Sequence, residues 1–360
     1  MEFELIRQYF EVPFAPLAQA HRQVVGQGIG DDCAQLCVPE GHTLFVSSDT
    51  SVEGVHFFSD DAPFDVAAKA LASNLSDLAA CGAQPMGFSL NLTLAKPQPA
   101  WLQGFSSGLL HMATGHACPL IGGDTTHGPC NMVSITVYGC APLSHHGFHR
   151  SRAKAGQDLW VSGLPGLARL GMWMAYRQRG LLNKLCESPG EADQLDERLG
   201  SMPVSLSHLA LQAFNRPEPR VALGLALRPY ASACLDLSDG LAGDLLHIAQ
   251  QSGVAIELQA QPLLACWSST LGQVSSQHAD WLLDTSLSGG DDYELCFTAS
   301  VDHRQAIEDL ARQAEPSLFR VGRVLSGQGI WLSHGDGQAL PVGKASFEHF
   351  RPRGTTSLPS

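Results

Sequence analysis

Eight aspartates in this 360-residue chain sit beside glycine or serine in short stretches that read as turns or strand ends: Asp31 and Asp32 in "GIGDDCA", Asp49 in "SSDTSVEGVHF", Asp124 in "IGGDTT", Asp236 and Asp239 in "DLSDGL", and Asp291 and Asp292 in "SGGDDYEL". Asp77, in "NLSDLAA", adds one from a helical stretch. Hard divalent cations such as Mg²⁺ take oxygen ligands and keep several waters, so dispersed carboxylates that meet around phosphates suit them. Two carboxylates about 4 Å apart repel by roughly 4 kcal/mol at an effective dielectric near 20, so a cluster of four or more calls for cations. Each aspartate alone is better explained by ordinary turn chemistry. Asp239 also reads as the N-cap of a helix over 240–250, and Asp77 as a solvated helix residue. The recurrence in both halves of the chain is what favours metal–phosphate chemistry.

The glycine-rich stretches do not offer a conventional phosphate cradle. Gly26, Gly28 and Gly30 lack the rest of a dinucleotide fingerprint and run straight into two acids, and GxxxxGK[ST] occurs nowhere. The formal charge is −13, from 35 acids and 22 bases, which excludes a nucleic-acid footprint. An anionic substrate would then be neutralised mainly by divalent ions. Arg150 and Arg152 are basic residues in "HRSRAKAG", open to reading as a solvated patch or as phosphate contacts. His56 in "EGVHFF" reads alone as a packed core histidine, and Glu53 as a turn acid or an orienting group. No Ser–His or Cys–His arrangement stands out, so no covalent nucleophile is expected. The ten cysteines form no CxxC pair and mostly have apolar neighbours, as reduced structural thiols of a cytoplasmic protein do. No apolar run reaches the roughly 18–20 residues of a membrane span. "MEFELIRQYF" is not laid out as a signal peptide.

The elements that must position these residues follow from periodicity. A short amphipathic helix is expected at 2–10, strands at 43–49, 87–95 and 132–142, and helices at 63–82 and 100–114. Pro63 suits a first helical position and Gly82 a C-terminal stop. The polar, basic stretch 143–157 reads as a boundary, giving domains at 1–147 and 148–350 and a tail at 351–360. The second half begins with a strand at 158–163 and a helix at 165–180. The acidic stretch 183–202 reads as a mobile surface insertion. Then "ASACLDLSDGLAGDLLHIAQQSG" (231–253) reads as strand, turn and helix, with further strands in "AIELQA", "YELCFTAS", "LFRVGRV" and "GIWLS". Strands and helices mix in both halves, so the fold class is α/β (α+β) with two domains.

In this order the segments "GIGDDCA", "SSDTSVEGVHF", "KALASNLSDLAACGAQP", "IGGDTTHGP", "HRSRAKAG", "RPEPR", "DLSDGLAGDLLHI" and "SGGDDYELCF" resemble the thiamine-monophosphate kinase family, within the superfamily typified by aminoimidazole ribonucleotide synthetase. The resemblance runs over roughly residues 4–350. It implies an N-terminal sheet domain that binds ATP and Mg²⁺ and dimerises, and a C-terminal α/β domain that covers the nucleotide. It implies direct in-line transfer from ATP to thiamine monophosphate, assisted by several Mg²⁺ ions, in a cytoplasmic homodimer. Carried over residue by residue, it makes Asp32, Ser47, Ser48, Asp49, Asp77, Asp124, Asp236 and Asp239 metal ligands. Gly123, Asp124, Arg150 and Ser238 would contact ATP, and His56, Asp291 and Phe347 the thiamine moiety.

Three positions depart from the family pattern. Asp291 stands where Glu is usual, one methylene shorter. Ser48 replaces a Thr and keeps the hydroxyl. Phe347 replaces Tyr or Trp and keeps only the stacking face. Two other readings are open on sequence: another ATP-dependent synthetase of the superfamily, making aminoimidazole ribonucleotide or selenophosphate, or a non-catalytic metal- and nucleotide-binding relative. The intact acid set in both halves argues against the latter.

Overall fold

Apart from Asp77, which lies in a helix, the aspartate-bearing stretches fall in or beside the strands of three sheets in the computed structural model, which describes residues 2–145, 147–272, 276–313, 317–335 and 339–343. Phe347 and the 351–360 tail lie outside the described residues. The chain divides into two compact units, Met1–Gly147 with Glu218–Arg228, and Phe148–Pro217 with Pro229–Ser360.

In the first unit a small hairpin, β1 (Val25–Gln27) with β2 (Gln35–Leu36), carries the "GIGDDCA" loop. The main sheet is built from β3 (His42–Val52), β4 (Gln84–Leu94), β5 (Leu120–His127) and β6 (Met132–Pro142), in the order β3-β6-β4-β5. Strands β3 and β4 run antiparallel to β6, while β5 runs parallel to β4. Alternation sorts the side chains. Phe88, Leu90, Leu92, Val133, Ile135 and Val137 are buried, on the face covered by the Pro63–Ala80 helix, whose Leu71, Leu75 and Leu78 are fully enclosed. On the other face Leu44 and Val46 are exposed, and hydroxyls pair across the strands: Ser48 with Thr136 at 2.9 Å and Thr50 with Ser134 at 2.8 Å.

The Pro63–Ala80 helix starts with Pro63 and is followed by Gly82 at φ 62, as its sequence signals predict. The N-terminal helix is longer than expected. It runs from Glu2 through a wide π turn, Arg7–Glu11, to Ala20, and passes through Pro16. Its Phe10 and Phe14 are buried edge-on against Phe105 and Phe88, so tertiary packing outweighs the proline signals.

Residues 218–228 also pack in the first unit, although a single cut in the sequence leaves them in the second. Their helix, Val221–Ala226, presents Gly224 to the carbonyl of Ala79 where a Cβ would overlap it. Arg228 donates from Nε to the Gly82 carbonyl at 2.8 Å. Nothing in the local composition marks this excursion.

The second unit holds β7 (Asp158–Ser162), β8 (Ala231–Asp236), β9 (Ala255–Gln259), β10 (Leu295–Ala299), β11 (Leu318–Leu325), β12 (Gly329–Ser333) and β13 (Ala339–Pro341), in the order β13-β12-β9-β11-β7-β10-β8. All neighbours are antiparallel except β9 with β12. Every residue of β7 is buried, as a central strand covered on both faces requires. Leu159 and Val161 join the core with Leu245, Ile256 and Trp267. Trp160 stacks on Phe297 at 6.4 Å, and Asp158 on the same side of β7 is paired by Arg304 and Arg320.

The acidic stretch 183–202, expected as a mobile surface insertion, contains a helix with a buried anchor. Ser188 caps a helix over Pro189–Gly200, and Leu199 is buried with Met174 and Leu182. Its one apolar stripe is short, which hid it among the acids. Helices over Val204–Asn215, Ala260–Leu271, Ser276–Ser288 and Arg304–Gln313 were also not anticipated.

Candidate active site

Strand alternation sends the two serines of "SSD" to opposite faces of the first sheet. Ser47 turns toward the Pro63–Ala80 helix and donates its hydroxyl to Asp77 Oδ2 at 2.5 Å. Asp77 is therefore tied to the sheet rather than lying on a solvated face. Ser48 instead bonds to Thr136 and the Ile135 carbonyl, at 2.9 and 3.2 Å. Asp49, exposed, lies on the Ser47 side, and its backbone N–H is accepted by Asn74 Oδ1 at 3.2 Å. Asn74, 1% exposed and anchored through Nδ2 to the Ala70 carbonyl, positions this end of β3. The sequence reading missed it; a buried asparagine in an apolar helix stripe was the available signal.

Asp124 comes from the opposite edge. Its row in the sheet runs Asp124–Asn91–Ser134–Thr50, and the adjacent row runs Gly123–Leu90–Ile135–Asp49. Three interstrand steps put Asp49 and Asp124 roughly 14 Å apart along the sheet. Gly123 is required where it stands, since φ is +147 and a Cβ would overlap the Leu90 carbonyl. Asp124 Oδ1 accepts the N–H of Thr125 at 2.9 Å. In the hairpin loop Asp31 and Asp32 are both exposed, and Asp31 Oδ1 accepts the N–H of Asp32 at 2.8 Å. His56 accepts the Val52 N–H on Nδ1 at 3.0 Å, which leaves Nε2 to carry the proton of the neutral ring. Glu53 is a turn brace: its carboxylate accepts the N–H of Asn131 at 3.3 Å.

In the second unit two loops are laced into one. Asp291 N–H donates to Ser238 O at 2.9 Å, Tyr293 N–H to Leu237 O at 2.8 Å, and Leu237 N–H to Glu294 O at 2.8 Å. The "DLSDGL" and "SGGDDYEL" motifs thus form one rigid ridge. Asp291 and Tyr293 both hold positive φ, 66 and 50, at a typical cost of roughly 1–3 kcal/mol for each such residue. The Tyr293 hydroxyl donates to Asp291 Oδ1 at 3.2 Å.

Asp239 is not the helix cap that its position suggests. The helix runs Leu241–Ser252 with Gly240, φ 114, at the cap position. Asp244 does the capping from inside the first turn: Oδ2 accepts the N–H groups of Ser238, Asp239 and Gly240, each at 3.1 Å. Burial and the nearby charges of Asp239 and Asp236 push its carboxyl up to about 8. Asp292 plays the matching part for the Leu167–Gln178 helix, accepting from Gly166 and Ala168 at 2.6 and 2.9 Å. Neither role was read from the sequence, where both acids looked like members of the same motifs. Arg150 is exposed in a short turn whose carbonyl accepts the Ser252 hydroxyl at 2.7 Å.

The donor set fits Mg²⁺ in kind. All the acids and hydroxyls supply hard oxygen, and the crowding of Asp236, Asp239 and Asp244 is the negative charge a cation relieves. Among the described residues no three acid, histidine or cysteine side chains converge into a ready cage.

Residues 30–141 match the family model described as AIR synthase related protein, N-terminal domain. The chain is 39% identical over 350 residues to the thiamine-monophosphate kinase of Salmonella typhimurium, covering 97% of this chain and 98% of that one. It is also similar to the crystal structure of thiamine-monophosphate kinase from Stenotrophomonas maltophilia K279a, with 36% identity, a TM-score of 0.75, and 93% and 97% of the two chains covered. AaThiL complexed with AMPPCP and TMP shares the fold at a TM-score of 0.67 and 24% identity, over 96% of this chain and 98% of that one. The extent and identity of these matches establish that the chain belongs to the thiamine-monophosphate kinase family.

Proposed function

We propose that the protein transfers the γ-phosphoryl group of ATP to thiamine monophosphate, giving thiamine diphosphate and ADP. The observation that carries this reading is the full-length likeness to thiamine-monophosphate kinases together with acid loops in both units. An oxygen of the acceptor phosphate attacks the γ-phosphorus in line, and the bond to the β-bridging oxygen breaks. A phosphate acceptor is already nucleophilic, so positioning and charge neutralisation are the main requirements.

In this reading Asp32, Ser47, Ser48, Asp49, Asp77 and Asp124 of the first unit and Asp236 and Asp239 of the second hold several Mg²⁺ ions, which neutralise phosphate charge when bound. The backbone of Gly123, the Ser238 hydroxyl and Arg150 contact ATP, with Arg150 on the phosphates. His56 offers its Nε2 proton and Asp291 its carboxylate to the thiamine moiety, with Phe347 stacking on a ring. Incubating the purified protein with ATP, Mg²⁺ and thiamine monophosphate should yield thiamine diphosphate. Nucleotide binding without product would favour the non-catalytic alternative, and turnover of aminoimidazole precursors the synthetase alternative.

The same reading includes a cytoplasmic homodimer. Among the described residues no helix is long and apolar enough to cross a membrane. We assign the dimer contact to the uncovered face of the first sheet, where Leu44 and Val46 are 42% and 56% exposed. Sedimentation of Val46→Glu should give monomers where the unmodified protein gives dimers; an unchanged profile would remove the assignment.

A further inference from the structure

Ser107, Ser268, Ser286 and Ser288 each donate to the carbonyl four residues back in their own helices, at 2.8–3.1 Å. That is the usual local retreat of a helical hydroxyl. Ser252, the last residue of the Leu241–Ser252 helix, does otherwise. Its hydroxyl donates to the Arg150 carbonyl at 2.7 Å and accepts the Ala153 N–H at 3.1 Å. One side chain thereby closes both ends of the short 3-10 turn Arg150–Arg152. Gly253, at φ 65, ends the helix directly after it.

The rest of the "HRSRAKAG" segment is anchored as closely. Ala153 is 6% exposed and joins the second core. The Lys154 N–H donates to Gln157 Oε1 at 2.9 Å, and Gln157 Nε2 donates to the Ser232 hydroxyl, near the start of β8, at 2.7 Å. The Gly156 N–H donates to the Val324 carbonyl at 2.9 Å, and the Val324 N–H to the Gln157 carbonyl at 2.8 Å. These bonds tie the segment to β8, β11 and the helix end, while Arg150, Ser151 and Arg152 stay exposed. A cation carried on a fixed backbone gives up less freedom on meeting an anion than one on a loose turn.

We propose that Ser252 is a positioning residue for nucleotide binding: by holding the Arg150 carbonyl and the Ala153 N–H, it presets the backbone from which the Arg150 guanidinium meets the phosphates of ATP. The proposal rests on the reading of Arg150 as an ATP contact.

Steady-state kinetics with ATP and thiamine monophosphate varied separately test it, with thermal melting of each variant. Ser252→Ala should raise KM for ATP about fivefold, with kcat and KM for thiamine monophosphate nearly unchanged. Ser252→Thr, which keeps the hydroxyl, should recover most of the loss. Because Ser252 acts through Arg150, adding Ser252→Ala to Arg150→Ala should cost little more than Arg150→Ala alone. Additive effects would overturn the proposal. So would a Ser252→Ala enzyme that melts earlier with an unchanged KM for ATP, or one whose two KM values rise equally, since either result marks a merely structural brace. Should Ser252→Ala melt below the assay temperature, Ser252→Cys decides on the same readout, because its thiol donates only weakly. A rise of about threefold in KM for ATP then supports the proposal, and no rise overturns it. An Arg150→Ala enzyme with unchanged KM for ATP would remove the ATP contact and the proposal together, leaving the kinase reading intact. Absence of thiamine diphosphate from the unmodified enzyme would remove all three.

Discussion

The two Asp-Asp pairs, Asp31–Asp32 in the first unit and Asp291–Asp292 in the second, look alike in sequence and divide their work in opposite order. In the first, both acids are exposed and the leading one accepts the next backbone N–H. In the second, the trailing acid caps a helix through two N–H groups and the leading acid bonds Tyr293. The surroundings differ as well. The first loop hangs from a two-strand hairpin, whereas the second is laced by three backbone bonds to the "DLSDGL" loop. Two acids that look alike in sequence thus differ in what they bond, and the proposed division between ligand and architectural acids is for mutation to test.

The largest expected effect breaks the chemical half of the comparison. Asp32→Ala, Asp49→Ala and Asp124→Ala should each lower kcat/KM by about 10³-fold or more, with circular dichroism unchanged. Asp31→Ala should cost about tenfold or less, since it loosens a turn without removing a proposed ligand. Equal losses at Asp31 and Asp32 would erase the distinction drawn in the first loop.

The second loop should show the reverse pattern in stability. Asn keeps one acceptor oxygen where Asp292 uses two, so Asp292→Asn should cost about 2 kcal/mol, or some 4–8 °C in Tm. Asp291→Asn should leave Tm within about 2 °C while raising KM for thiamine monophosphate. Melting curves and substrate titrations on the same preparations check both, and a Tm loss at Asp291 matching that at Asp292 would contradict the assignment.

The smallest effect concerns thiols, which separate loop from core in the same way. Cys33 and Cys37 are exposed beside the first loop. Burial pushes Cys266 up to about 12, and raises Cys118 and Cys296 further still. Iodoacetamide at pH 8 should label the exposed pair in the native protein and spare the buried three, as read by peptide mass spectrometry. Labelling of Cys266 before unfolding would show that the second core opens.

The sequence made much of this fold legible because its strongest signals are local. Pro63 and Gly82 bracket a helix whose apolar stripe is unambiguous, and "MVSITVYGCAP" alternates as an antiparallel strand must. What stayed hidden depends on contacts between distant segments. The helix at Val221–Ala226 joins the first unit through a close approach at Gly224. The opposite facing of Ser47 and Ser48 needs the pairing register, and the architectural roles of Asp244 and Asp292 need the loops they tie. Asp49 and Asp124 are named by the same motif logic yet lie on opposite edges of one sheet, which no reading of a single strand reveals.

The central claim is that this member of the thiamine-monophosphate kinase family transfers the γ-phosphoryl group of ATP to a phosphate acceptor, assisted by oxygen-ligated Mg²⁺. Phosphorus NMR of the purified protein with ATP, thiamine monophosphate and millimolar Mg²⁺ tests it most directly. The account predicts thiamine diphosphate and ADP appearing in a one-to-one ratio, with the signals halted by excess EDTA and restored by added Mg²⁺. ATP loss without thiamine diphosphate, or product formation unaffected by EDTA, would contradict it.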